Sequence, residues 1–213
     1  MLLAQLQSKL EARYDLELPY EIEQFFCSDK TIASHLADEQ EQQGAHRPVF
    51  DEEVMFVHQD DECLEFTVYV DEALLAQVSN SDATLDGVCT IVEGASHAVC
   101  LLWHAHHERQ IRPIDLELQA EIDKFMILVE SHLSGSQRRE LHRRLFASSH
   151  LLGSSSGEFH ERYRTASQLA SRYCHWLESR FMQDDNQIAL RGELARFYRL
   201  SGRAKFDHIR QLH

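Results

Sequence analysis

The sequence predicts an α+β fold that is predominantly α-helical, a helical bundle with one antiparallel β-hairpin at about residues 53–70. Three observations predict it. The 213 residues include only 3 Pro and 8 Gly, too few for a turn-rich β-sandwich. Apolar residues recur at three- and four-residue spacing through most of the chain, which is typical of amphipathic helices. One stretch instead alternates apolar and polar residues, as half-buried strands do.

The first 50 residues predict short helices. The first helix is indicated by apolar residues that share one face: Leu3, Leu6, Leu10 and Tyr14. Pro19 can open a second, short helix, which would carry Phe26. Either Ser28 or Asp29 can cap a third helix. Residues 38–47 are polar and predict a loop.

The hairpin is predicted from two runs rich in β-branched and aromatic residues, 53–58 and 63–70. Residues 59–62 are the turn between them. A lone hairpin is marginal in water, so we expect it to lie on helices or to gain strands from elsewhere. Asp71 can then cap a short helix over residues 72–79.

Helical periodicity continues from about residue 82 to the end of the sequence. The predicted helices are 83–108, 113–133, 136–151, 158–182, 187–200 and 203–212. Asn186 can cap the helix over 187–200, and Gly202 suits its C′ position. We therefore expect acidic helices plus the hairpin over 1–81 and a helical bundle over 82–213, which could form one continuous domain. Residues 153–157 are the one linker-like stretch.

Charge is divided unevenly along the chain. The net charge is −14, made up of about −20 over residues 1–134 and about +6 over 135–213. The basic part contains seven arginines that could form a partner-binding face: Arg138, Arg139, Arg143, Arg144, Arg196, Arg199 and Arg203. They could dock on the acidic half of this chain or of a second copy, or they could contact a phosphate backbone. The net charge disfavours nucleic acid, so we expect a protein partner or a homo-oligomer.

The helix over 83–108 is apolar nearly all round and carries a narrow polar stripe. At 100° per residue the stripe comprises Glu93, His97, Cys100, His104 and Glu108. The next helix follows a short link, so it is predicted to be an antiparallel neighbour that brings Glu117 and Glu121 close. Carboxylates and imidazoles of this kind could bind a divalent metal ion or perform acid–base chemistry.

Three interpretations of this stripe remain open. Glu93 and His97 could form buried structural hydrogen bonds, the stripe could be solvated, or it could be a metal or catalytic site. The Glu-x-x-His element of di-iron bundles is missing from both helices. His97 and His104 lie about 10 Å apart along one helix, so they cannot share one ion. The cofactor is therefore unknown, with a divalent metal as the candidate.

The remaining features favour an intracellular protein without a recognisable catalytic motif. No P-loop or His-Glu-x-x-His is present. The five cysteines are odd in number and lack C-x-x-C spacing, so we expect reduced thiols, and the 14 histidines make the chain histidine-rich. No signal peptide and no membrane span are apparent, which favours the cytoplasm.

The sequence leaves three functional hypotheses. The preferred one is a non-enzymatic interaction or regulatory protein with a charge-segregated helical surface. The alternative is a metal-dependent helical-bundle enzyme or metal-binding protein that uses the Glu and His residues of two adjacent helices. The third is a nucleic-acid-associated factor.

Overall fold

Helices form most of the protein in the computed structural model, which describes residues 2–42, 53–59, 63–129, 133–147, 158–183 and 186–212. The α-helices are α1 (Leu2–Tyr14), α2 (Lys30–Gln42), α3 (Glu72–Ser79), α4 (Leu85–His106), α5 (Pro113–Val129), α6 (Gly135–Ala147), α7 (Glu158–Leu177), α8 (Gln187–Tyr198) and α9 (Arg203–Arg210). The strands are β1 (Phe26–Cys27), β2 (Glu53–Gln59) and β3 (Leu64–Val70). The predicted linker at 153–157 and most of the predicted turn at 59–62 lie outside the described residues.

The sheet is mixed, which corrects the expectation of a single antiparallel hairpin. β2 and β3 pair antiparallel as predicted, with Val54 opposite Tyr69. β1 adds a third, parallel strand on the other side of β3, with Phe26 opposite Val68. The second predicted helix is only a 3₁₀ turn, Ile22–Phe25. A two-residue strand has too little periodicity to be recognised in a sequence, and its pairing depends on β3.

Helices cover both faces of the sheet. On one face, Phe66, Val68 and Val70 join the main hydrophobic core together with α4. The other face forms a separate small cluster of Ala33, Ala37, Phe56 and Tyr69. Small residues four apart on α2 allow this close packing, and α2 runs on to Gln42. Residues 38–42 are therefore helical, although their polarity predicted a loop.

The caps confirm several predicted helix starts. The side chains of Asp71 and Asn186 accept hydrogen bonds from backbone N–H groups in the first turns of α3 and α8. Asp29 does the same for α2, with 2.7 Å from its Oδ1 to the nitrogen of Thr31. Gly202 differs from the prediction: α8 ends at Tyr198, and Gly202 stands directly before α9 with φ +56°, which favours glycine.

α4 is the central helix and packs against α1, α5 and the sheet. Among the described helices, only α4 is long and apolar enough to cross a membrane by length and composition. Within its most apolar window, 67% is buried inside the protein. That degree of burial is typical of the core helix of a folded domain.

A buried polar network joins four helices, α1, α4, α5 and α9. Asp123 of α5 accepts hydrogen bonds from Tyr14 of α1, from Ser96 of α4 at 2.5 Å and from Gln119 at 3.2 Å. Gln119 in turn accepts from the Lys205 ammonium of α9 at 3.0 Å. All three donors to Asp123 are buried, so its carboxylate is compensated without water.

Replacing Tyr14 by Phe tests the importance of this network. The variant Tyr14→Phe leaves the buried Asp123 with one donor fewer, so the free energy of unfolding should fall by about 1.5–3 kcal/mol. Urea denaturation measures this change. Tyr20→Phe, at an exposed tyrosine, should leave stability unchanged. Equal stability of the two variants would contradict a structural role for the Tyr14 hydroxyl.

Candidate metal centre

A buried histidine between two glutamates forms the middle of the candidate site. His97 of α4 is only 6% exposed. Its Nδ1 lies 3.8 Å from Oε1 of Glu53 on β2, and its Nε2 lies 3.9 Å from Oε2 of Glu117 on α5. Glu93, one helical turn before His97, completes the group. We call Glu53, Glu93, His97 and Glu117 the Glu–His centre.

A glycine of α4 makes room for the strand that supplies Glu53. A Cβ built on Gly94 would lie 3.1 Å from Cγ1 of Val68 and 3.4 Å from Cγ of Glu53. Real Cβ atoms rarely come so close to their neighbours, so a side chain here would force Val68 and Glu53 to shift by a few tenths of an ångström. The missing side chain therefore allows Glu53 to reach His97.

A buried lysine borders the Glu–His centre. Nζ of Lys124 lies 3.0 Å from Oε2 of Glu93 and also contacts Oε1 of Glu121. The hydroxyl of Tyr163 on α7 donates to the same oxygen of Glu121 at 3.0 Å. Lys124 and Glu121 are both buried, so this ion pair is largely shielded from water.

The pKa shifts follow from burial and from the close charges. Burial alone would lower the pKa of His97, but Glu53, Glu117 and Glu93 raise it to about 9. Burial raises the pKa of Glu117. For Glu93 the effect of burial is outweighed by Lys124, and its pKa is lowered. Without a bound ion, His97 is therefore protonated at neutral pH and offsets part of the carboxylate charge.

Within the described part of the chain, three atoms of the centre have no hydrogen-bond partner: Nδ1 and Nε2 of His97 and Oε1 of Glu53. The distances of 3.8 and 3.9 Å around His97 exceed the usual 2.7–3.2 Å range of such bonds. Burying unpaired polar atoms costs about 1–3 kcal/mol each. Such atoms in a native interior indicate either strain or a group that binds between them.

One potential ligand atom from each of Glu53, Glu93 and His97 lies within 4.8 Å of the others. Two ligand atoms that each lie about 2.1 Å from one ion are at most about 4.2 Å apart. The 3.8 Å between Nδ1 of His97 and Oε1 of Glu53 fits this limit without rearrangement. Glu117 at Nε2 then stands where a carboxylate commonly orients a metal-binding histidine.

Two other predicted site residues lie apart from the Glu–His centre. His104 is buried against Trp103 and Tyr198, and its Nδ1 is 2.8 Å from the carbonyl oxygen of Cys100. The thiol of Cys100 is 3.7 Å from the same nitrogen. The structure thus brings Glu93, His97, Glu117 and Glu121 into one region. It places Cys100 about one turn and His104 about two turns beyond His97 along α4.

The predicted basic face is divided between paired and exposed arginines. Three arginines bind a glutamate or aspartate of their own helix: Arg143 to Glu140, Arg196 to Glu193 and Arg203 to Asp207. Two bind main-chain carbonyls of other segments: Arg138 those of Leu133 and Met182, and Arg199 those of Tyr14 and Asp15. Arg139 and Arg144 of α6 are exposed. At Asp15, where Arg191 also pairs at 2.8 Å, basic α8 docks on the end of α1.

Sequence reasoning missed Glu53 as a site residue. An acidic residue at the start of a predicted strand gives no local signal of function, and Glu53 comes close to His97 only because β2 docks on α4. Gly94 was a usable signal, because glycine inside an apolar helix often marks a close approach of another segment.

Comparison with protein families, with curated proteins and with solved structures gives no match for this chain.

A side chain at position 94 should overcrowd the contact between the sheet and α4. We expect Gly94→Val to lower the free energy of unfolding by about 1–3 kcal/mol, since the added atoms overpack a tight contact. The matched control is Gly192→Val in α8, where an added Cβ meets no atom within 4 Å. Urea denaturation compares the two, and a Gly94→Val protein as stable as the control would contradict this account of Glu53.

His104 should make the protein less stable in acid. Burial lowers the pKa of His104 to about 4, against about 6.5 in an unfolded chain. The unfolded state therefore takes up the proton first, and stability falls as the pH drops from about 6.5 towards 4, by at most about 1.4 kcal/mol per pH unit. Urea denaturation across this range should show a shallower slope for His104→Gln. An unchanged slope would be the contradicting result.

Proposed function

We propose that the protein binds a divalent transition-metal ion in the Glu–His centre, with Glu53, Glu93 and His97 as ligands. The observation that carries the proposal is a pair of buried atoms that lie 3.8 Å apart and have no hydrogen-bond partner among the described residues: Nδ1 of His97 and Oε1 of Glu53. A purely structural ion pair would close to hydrogen-bonding distance. An ion between these atoms would satisfy them, and Glu117 would orient His97.

The donor set indicates the class of metal. One imidazole nitrogen and two carboxylate oxygens suit Mn²⁺, Fe²⁺, Co²⁺ or Zn²⁺. Mg²⁺ and Ca²⁺ prefer sites built entirely from oxygen atoms, and Cu⁺ prefers sulfur. The side chain of Glu93 is 22% exposed and that of Glu53 is 13% exposed. These partly open carboxylates give an ion a path from solvent.

Metal binding is tested on protein that carries no histidine tag and has been stripped with a chelator. Calorimetric titration with Mn²⁺, Co²⁺ or Zn²⁺ should give saturable binding. At 100 times the dissociation constant, the ion should stabilise the fold by about 2.7 kcal/mol. Mg²⁺ at equal concentration should bind much more weakly. Absence of saturable binding for all three transition metals would contradict the proposal.

Glutamine variants separate ligands from bystanders. Glu53→Gln should weaken metal binding by at least about 10-fold, and Glu117→Gln by about 10–100-fold through the orientation of His97. The matched control is Glu65→Gln, at an exposed glutamate of the neighbouring strand β3, which should bind like the wild type. Equal affinity of Glu53→Gln and Glu65→Gln would exclude Glu53 as a ligand.

A further inference from the structure

We propose that the centre holds one ion and not two, because the ammonium group of Lys124 occupies the position that a second ion would take. This inference rests on the proposed function and concerns the number of ions at the same site. Clusters of several carboxylates often hold two ions about 3.5–4 Å apart. The number of ions that the centre binds therefore depends on which charged groups lie beside the first ion.

The carboxylate of Glu93 lies between two cation positions. It contributes a potential ligand atom to the set with Glu53 and His97. Its Oε2 accepts from Nζ of Lys124 at 3.0 Å. In a two-ion centre a bridging carboxylate binds one ion with each oxygen. Here the ammonium of Lys124 holds one of the two oxygens, which leaves Oε1 for the ion.

Lys124 also lies beside further oxygen atoms that could serve as ligands for a cation. Nζ contacts Oε1 of Glu121, and the Tyr163 hydroxyl lies 3.0 Å from that same oxygen. The ammonium also lies 5.7 Å from the centre of the Tyr163 ring. Two carboxylates, those of Glu93 and Glu121, thus form ion pairs with this one ammonium group and hold it in place.

The charges of the region agree with a single ion. Glu53, Glu93, Glu117 and Glu121 supply four negative charges, and Lys124 offsets one of them. Arg162 of α7 acts electrostatically on Glu117 and offsets another. One divalent ion at a neutral His97 then balances the remainder. A second ion would leave an excess of two positive charges in a mostly buried region.

Counting ions in charge variants tests the inference. Equilibrium dialysis against Mn²⁺ followed by elemental analysis should give one ion per chain for the wild type and two for Lys124→Gln. Lys124→Arg keeps the charge and should stay at one. The matched control is Lys205→Gln, at the other buried lysine, which contacts Gln119 and should also stay at one.

The results distinguish this inference from the proposed function. Two ions per wild-type chain, or one per chain of a folded Lys124→Gln protein, would overturn the inference and leave metal binding intact. No ion in the wild type would refute both. If Lys124→Gln does not fold, electron paramagnetic resonance of wild-type protein in excess Mn²⁺ decides. The spectrum of an isolated bound ion supports the inference, and that of an exchange-coupled pair overturns it.

Discussion

Burying several glutamates beside one histidine is the constraint on which the middle of this protein depends. Carboxylates that leave water need positive charge or hydrogen-bond donors, since an isolated buried charge is prohibitively unfavourable. Glu53, Glu93 and Glu117 meet at His97, and each comes from a different part of the chain or a different turn. The packing of β2, α4 and α5 therefore has to agree with the electrostatics of this one region.

Helices α4 and α5 also hold a buried carboxylate that is fully hydrogen-bonded, unlike those around His97. At Asp123, donors from Tyr14, Ser96 and Gln119 surround a buried carboxylate and satisfy it. At His97, the neighbouring carboxylates stand beyond hydrogen-bonding distance. The chain thus satisfies one buried carboxylate completely, within two turns of Glu117 along α5 and directly beside His97 on α4. The open geometry at His97 is thus a specific feature of the centre, and the cation that we propose would account for it.

Much of the fold could be predicted from local periodicity. The apolar faces of α1 and α4, the caps at Asp71 and Asn186, and the pairing of β2 with β3 all depend on residues close together in the sequence. The parallel strand β1 could not be predicted, because its two residues are extended only where β3 binds them. The polar end of α2 was also missed, since its helix is stabilised by packing of Ala33 and Ala37 on the sheet.

The candidate site, too, could be predicted only in part. Helical spacing placed Glu93 with His97, and the short link to α5 brought Glu117 near them. Spacing within one helix could not predict that His97 belongs to the centre and His104 does not. Glu53 and Glu117 lie beside His97, whereas Trp103 and Tyr198 pack against His104. Contacts between distant segments decide such differences.

A crystal structure of the protein soaked in Mn²⁺, with anomalous scattering data, tests the central claim most directly. The account predicts an anomalous peak about 2.0–2.3 Å from Nδ1 of His97 and from one oxygen each of Glu53 and Glu93. A centre without such a peak, in which His97 instead donates hydrogen bonds to both Glu53 and Glu117 at normal distance, would contradict it.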